Sequence, residues 1–425
     1  MSTSAERPAE ATPGAHPAPP APSDRGRILI VSNHGYPKDS VTRRKVDHLV
    51  EQGWAVDLIC SGEASDARLG FAPDGLRVIR VPVRHRRRSA IDYLFAYVTF
   101  TAASVALSSL LTLRHAYTTA MVENPPDLLV LAALPARLRG ARVVLNVVEL
   151  EPELAAARLG VGDRHPVVRL SRWCERLAIR LSDHVITVSE TCLRALRARG
   201  LDSAKATIVP NSVVTRVEWN GDRRPQERRP YLITHASLIE RYGVQVAIRA
   251  MVRLRHRWPE LTLRVLGEGE YAPELRRLAR QLGIEDDVRF DGFLPWEEAM
   301  HQVRGAVLGL VPVIADGYGE LMLPTKLLEY VEQGIPVVCS RLPAVEDYFA
   351  FDALAYFTPG DPVDLADRVD RLLRDPERAQ SQAARARIAG QRLSWGSVSD
   401  AYVHAVVPGH QAPNGAPASE TSTTR

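Results

Sequence analysis

The sequence predicts an α/β protein of two Rossmann-like domains, each a doubly wound parallel sheet, facing a central cleft. Three observations predict it. Short apolar runs alternate with segments of helical apolar spacing along most of the chain, the rhythm of a parallel sheet covered on both faces. That rhythm breaks once, at a polar stretch over residues 216–230 (RVEWNGDRRPQERRP), and then resumes. A length of 425 residues is also too great for one compact core.

The elements follow in order. Residues 27–32 (RILIVS) read as the first strand and residues 33–37 (NHGYP) as a turn; Val46, Leu49 and Val50 mark a helix closed by Gly53. Residues 55–60 (AVDLIC) then complete a βαβ unit. Residues 78–83, 128–131, 143–148, 185–188 and 207–209 repeat the buried-strand signature. After the polar stretch come strands at 231–235, 263–266, 288–290, 306–311 and 336–340, with helices over 244–255 and 272–282. The domain plan is therefore a disordered arm over 1–25, a first domain over 26–215, a linker over 216–230 and a second domain over 231–407. Its last helix can pack back on the first domain, and 408–425 form a loose tail.

Composition narrows the function classes. The formal charge is +4, from 54 basic and 50 acidic residues, so there is no general attraction for a polyanion and nucleic acid is not an expected partner. Cys60, Cys174, Cys192 and Cys339 form no CxxC pair, which points away from zinc sites and disulfide frameworks and suits a reducing cytoplasm. The first two dozen residues lack the apolar core of a signal peptide. Residues 93–113 carry no charge and are long enough to span a bilayer, yet they hold several Ser and Thr and lie between two strands of one sheet; a buried or surface-docking helix fits better. Just upstream, Arg84, His85, Arg86, Arg87 and Arg88 either hold the protein peripherally against anionic lipid at the inner face of the membrane or form a solvated basic loop.

Several chemistries lose their support. The first strand leads into NHGYP rather than GxGxxG, no GxxxxGK[ST] loop occurs, and no GxSxG elbow is present. The informative stretch is residues 316–340 (DGYGELMLPTKLLEYVEQGIPVVCS), where a glycine-containing loop leads into a helix near Pro324 with Lys326 and Glu329 on one face. A helix N-terminus offers amides to an anion, Lys326 adds a charge, and Glu329 can accept two ribose hydroxyls; an ordinary surface pair is the bland alternative.

This segment resembles the nucleotide-sugar site of the large retaining glycosyltransferase family 4, of GT-B architecture. Residues 234–251 (THASLIERYGVQVAIRAM), LRVLGEGE, VRFDGFLP and PGDPVDLADRVDRLLRD resemble its donor-binding half; SNHGYPKDSVTRRKVDHLVEQGWAVDLIC, ENPPDLLVLAAL, HVITVSE and VPNSV resemble its acceptor-binding half. The resemblance implies transfer of a sugar from a nucleotide diphosphate sugar to a glycan, lipid-linked or small-molecule acceptor. Configuration would be retained, and no metal or other cofactor is expected. It implies that Arg241 and Lys326 grip the diphosphate and Glu329 binds the ribose. Gly267 and Glu268 would approach the nucleotide, Phe293 and Leu294 would flank the base, and Leu321 and Met322 would lie beside the donor. His34, Gly35 and Tyr36 form the corresponding acceptor-side loop.

Three positions depart from the family pattern. A glutamate common eight positions before Glu329 is replaced by Leu321, with Glu320 one step earlier. The usual Gly-Arg pair and following lysine become Ala236-Ser237 and Tyr242, leaving Arg241 as the nearest cation. Val148 and Glu149 stand where relatives carry His-Asp. Glu149 and Glu320 are thus the carboxylates left for catalysis. A catalytically impaired sugar-nucleotide-binding protein in polysaccharide assembly and a GT-B nucleotide-sugar epimerase are the rival readings.

Overall fold

The computed structural model describes residues 25–37, 39–62, 74–82, 90–212, 229–407 and 409. The arm up to residue 24, Val83 and the basic run 84–88, linker residues 216–228 and nearly all of the tail lie outside the described residues.

The first domain is a seven-stranded parallel sheet in the order β3-β2-β1-β4-β5-β6-β7. Its strands are β1 (Arg27–Ser32), β2 (Ala55–Ser61), β3 (Leu76–Val81), β4 (Thr119–Glu123), β5 (Arg142–Val147), β6 (His184–Thr187) and β7 (Ala206–Ile208). Between them run α1 (Ser40–Glu51), α2 (Ala90–Arg114), α3 (Leu134–Arg137), α4 (Glu151–Leu159), α5 (Pro166–Leu181) and α6 (Glu190–Ala198).

The second sheet has six parallel strands, β10-β9-β8-β11-β12-β13, from β8 (Tyr231–His235), β9 (Thr262–Leu266), β10 (Val288–Gly292), β11 (Leu308–Val311), β12 (Val337–Ser340) and β13 (Ala355–Phe357). Its helices are α7 (Val244–Arg257), α8 (Ala272–Gln281), α9 (Trp296–Gly305), α10 (Thr325–Glu332), α11 (Pro343–Glu346), α12 (Pro362–Arg374) and α13 (Pro376–Gln391). The last described helix is α14 (Trp395–Val406). In each sheet the order reverses beside the first strand, at β1/β4 and β8/β11, which opens a crevice at the carboxyl ends of the strands.

One predicted strand is wrong. Residues 128–131 lie in a 3-10 helix, Asp127–Ala133, and the central strand is β4, which precedes it. A four-residue apolar run has no period to separate strand from buried turn, and Pro125-Pro126, lacking N–H groups, end the ladder just before it. The edge strand β13 has no counterpart among the predicted strands.

In the first domain one face of the sheet is covered by α2, the 3-10 helix, α3, α5 and α6, with Phe100, Leu129, Ala178 and Leu196 in the core. The other face is covered by α1 and by α14, which returns from the second domain and buries Tyr402 against Met121 and Val406. Thr119 Oγ1 donates to the Val406 carbonyl at 2.8 Å, tying α14 to β4. Residues Leu94–Arg114 of α2 are long and apolar enough to cross a membrane by length and composition. Phe100, Ser104, Ser108 and Leu111 of this helix are nevertheless buried on the domain.

Close backbone approach positions the second domain's cleft loops. Gly243, at φ +70°, begins α7 where a Cβ would lie 1.6 Å from the Pro312 carbonyl oxygen that follows β11. Gly243→Ala therefore combines left-handed strain with a clash against backbone, and is expected to lower the stability of the second domain by about 2 kcal/mol or more, read as a reduced denaturation midpoint.

Candidate functional site

A cavity of about 600 Å³ lies between the two domains. The first domain contributes Asp39, Val41, Glu149 and Cys192; the second contributes His235, Tyr242, Phe293, Tyr318, Lys326 and Glu329. Two ties close one side of it: Thr191 Oγ1 donates to Asp347 at 2.6 Å, and Arg194 pairs with the same carboxylate at 2.8 Å.

Lys326 sits in the first turn of α10, after the turn residue Pro324. It is 5% exposed, and its Nζ reaches only Thr234 Oγ1, at 3.5 Å, and the face of Tyr242, 5.2 Å from the ring centroid. Burial pulls its pKa down to about 8, against the opposing influence of Cys339 and Glu329. No carboxylate comes within ion-pair distance of it among the described residues. The helix N-terminus and this ammonium together make a site for an anion.

Glu329, one turn on, faces the same cavity. His235 Nε2 meets its Oε2 at 2.6 Å and Trp296 Nε1 donates to its Oε1 at 3.1 Å, so the carboxylate is held in one orientation while each oxygen keeps a free lone pair. His235, at the end of β8, is itself fixed by its backbone N–H donating to Tyr330 Oη at 3.0 Å. His235, Trp296 and Tyr318 were not picked out from sequence. The end of β8 at the switch point and the helix start beside Phe293-Leu294 are the signals that point to the first two.

The structure separates the two cations expected to act together. Arg241 Nε donates to Asp316 Oδ2 at 2.6 Å and its guanidinium stacks on Tyr318 at 4.8 Å, behind the cavity wall rather than in it. Asp316 also accepts from the Gly319 amide at 2.7 Å, so this pair anchors the loop that carries Tyr318 and Leu321. Leu321 and Met322 line the cavity, while Glu320 is exposed and does not. Phe293, 74% exposed, and Leu294 form the outer lip. Gly267, at φ +117°, brings its backbone against Ala236, where a Cβ would lie 1.9 Å from the carbonyl oxygen; neither it nor Glu268 lines the cavity.

Across the cleft, Glu149 presents a carboxylate with no hydrogen bond among the described residues. Its backbone is clamped by Asn124, whose Oδ1 accepts from the Val148 and Glu149 amides at 2.7 and 3.2 Å, and whose Nδ2 donates to the Glu149 carbonyl at 2.7 Å. Burial pushes the Tyr242 and Tyr318 hydroxyls up, and the Glu149 charge adds to the shift. His34, Gly35 and Tyr36 lie at the end of β1 but outside the cavity lining; Asp39, Ser40 and Val41, just beyond, line it. Tyr36 is buried and donates to Asp47 at 2.8 Å.

Beneath that loop lies a fully engaged buried carboxylate. Glu123, at the end of β4, accepts from Ser32, Thr42, Asn146 and Lys45 at 2.7, 3.1, 2.7 and 3.2 Å. Burial raises its pKa, but Lys45, His34 and Ser32 outweigh it and hold the value at about 2.

Residues 216–389 match the family described as glycosyl transferases group 1, and residues 39–212 match the glycosyl transferase 4-like domain. The chain belongs to the glycosyl transferases group 1 family. A relative in Mycolicibacterium smegmatis, the GDP-mannose-dependent alpha-(1-6)-phosphatidylinositol monomannoside mannosyltransferase, is 30% identical over 162 residues, 37% of this chain and 42% of that protein. The chain spans about half the length, or less, of the curated relatives it matches. Among solved structures, sucrose-phosphate synthase from Thermosynechococcus elongatus has a TM-score of 0.71 at 18% identity, over 89% of this chain and 97% of that one. Anabaena HepE in complex with UDP-glucose has a TM-score of 0.66 at 17% identity, over 89% and 98%. At these identities the likeness is one of fold, and the fold of this group 1 member is GT-B.

Lys45→Met is expected to cost about 3–5 kcal/mol at neutral pH by leaving the Glu123 charge buried without its cation. The low Glu123 pKa contributes stability above the ordinary carboxyl range that is lost as pH falls toward the folded value; in the variant, acid neutralises the stranded carboxyl, so the deficit shrinks. Urea denaturation of both proteins at neutral pH and at about pH 4 checks both the size and the sign.

Proposed function

We propose that this chain is a cytoplasmic, metal-independent retaining glycosyltransferase. It would move a sugar from a nucleoside-diphosphate sugar to a glycan, lipid-linked or small-molecule acceptor. The observation that carries the reading is the buried ammonium of Lys326 at the N-terminus of α10, with no carboxylate in ion-pair range among the described residues, opening on a cavity of a size for a sugar nucleotide. The diphosphate sits at that helix end, and Lys326 and the amides of α10 stabilise the charge that grows as it leaves. Glu329, oriented by His235 and Trp296, accepts the ribose hydroxyls with its free lone pairs. Support for the donor class comes from the GDP-mannose-dependent relative and from the GT-B neighbour bound to UDP-glucose.

Glu149, clamped by Asn124 on the opposite wall, holds the sugar or the incoming hydroxyl. The acceptor attacks the anomeric carbon on the face from which the diphosphate departs, and a leaving-phosphate oxygen takes the proton, so positioning and electrostatics suffice without a strong protein base. The buried cysteines form no disulfide among the described residues, which accords with a reducing compartment.

A thermal-shift screen against UDP, GDP, TDP and ADP tests the donor site, since a ligand at about a hundred times its dissociation constant adds about 2.7 kcal/mol. One nucleotide is expected to shift the wild type, and Lys326→Ala is expected to weaken it at least tenfold, the worth of about one charge-assisted hydrogen bond. An undiminished shift in Lys326→Ala would overturn the site.

A pH series tests the same residue. The unliganded ammonium loses its proton as pH rises through about 8, whereas a bound diphosphate favours the protonated form. As far as Lys326 sets it, the dissociation constant of the nucleotide is therefore expected to be insensitive to pH below that point and to rise by up to tenfold per pH unit above it. In Lys326→Arg, calorimetric titration is expected to show no such inflection.

A further inference from the structure

The helix layer on the outer side of the first domain leaves an apolar face uncovered. α2 and α5 both pack on the 3-10 helix Asp127–Ala133, on the same face of the sheet, so their outer sides point the same way. Along α2 the outward stripe is Leu94, Phe95, Val98, Ala102, Ala106, Leu110 and Leu113 at helical spacing, with Phe95 70% and Leu113 77% exposed. It runs for about 30 Å at 1.5 Å per residue without a charge or a hydroxyl. An exposed apolar strip of this length on a folded domain marks an interaction surface.

The neighbouring helix says what covers it. On α5 the outward positions are Arg169, Leu170, Trp173, Arg176 and Arg180, all exposed. The three arginine side chains have no ion-pair or hydrogen-bond partner among the described residues. The one acid of α5, Glu175, is turned inward and pairs with Arg199 at 2.7 Å. Guanidinium groups interleaved with a tryptophan and a leucine, beside an aliphatic strip, complement a surface that is anionic at its rim and hydrocarbon beneath. A second copy would bring the same cations and no exposed acid of α5 to meet them.

We propose that the outer face of α2 and α5 docks on an anionic bilayer, with α2 lying in the interface plane rather than crossing it. Its opposite side stays with the domain: Phe100, Ser104, Ser108 and Thr112 are buried there, and β3 and β4 at its two ends belong to one sheet. The inference goes beyond the transfer reaction and does not rest on it.

The test is cosedimentation of the full chain with vesicles of phosphatidylcholine alone and with about 30 mol% phosphatidylglycerol. Binding is expected to the anionic vesicles and to weaken with salt. The combined substitution Arg169→Glu, Arg176→Glu and Arg180→Glu is expected to lower the partition coefficient about a hundredfold, from roughly fivefold per cation. Leu94→Ser, Phe95→Ser and Val98→Ser together are expected to lower it roughly tenfold or more. All six side chains are exposed, so both variants keep the wild-type unfolding midpoint and nucleotide-induced shift, which separates this test from that of the donor site. The proposal is overturned by failure to bind either vesicle, by equal binding of the variants, or by a dimer in light scattering that the same substitutions abolish.

Discussion

A lysine ammonium buried with no carboxylate in contact is an expensive feature, and the rest of the cleft is arranged around the one at Lys326. Among the described residues a distant hydroxyl of Thr234 and the ring of Tyr242 meet it, and burial lowers its pKa. The helix end that holds it faces the crevice because the connections that leave the neighbouring strands β8 and β11 lead off in opposite directions there, each parallel strand of the second sheet being joined to the next through a helix. The neighbouring Glu329 is not allowed to quench the charge directly, since His235 and Trp296 hold its oxygens elsewhere. An anion arriving in the cavity thus meets a cation already stripped of water and not yet paired, which is preorganisation in a physical sense.

The first domain solves the opposite problem. Its buried carboxylate, Glu123, stands at the matching switch point but is saturated, accepting from four side chains drawn from β1, α1 and β5. It stitches together the strand ends from which the His34 to Tyr36 loop and the start of α1 emerge, so its role is architectural, and a carboxylate that faces the cavity without a hydrogen bond among the described residues is that of Glu149, one strand over. The two domains therefore bring to the cleft an unpaired cation from one side and an unpaired anion from the other. Arg194 and Thr191 on Asp347, and α14 crossing back to β4, fix the approach.

Much of this was legible in the sequence, and the failures have physical causes. Most strands could be read because parallel strands are buried on both faces and leave unbroken apolar runs. Residues 128–131 misled for the same reason: a 3-10 helix packed between a sheet and two helices is as apolar as a strand. Lys326 and Glu329 could be read because a helix start fixes where neighbouring side chains go. Arg241 could not, because its position depends on Asp316, 75 residues away, which draws it behind Tyr318. His235 and Trp296 gave no local signal, since what orients Glu329 is the meeting of three separate elements. The apolar length of α2 was visible, but which side of it faces outward depends on the 3-10 helix beneath it.

The exposed face and the cleft are not independent features of the first domain. In a parallel sheet the strands end on one side, and the helices that follow start there and run back. α2 follows β3 and α5 belongs to the β5 to β6 connection that also carries Glu149, so both helices begin at the cleft side of the domain. In the proposed docking only first-domain side chains meet the bilayer, while Lys326 and Glu329 are supplied by the second domain.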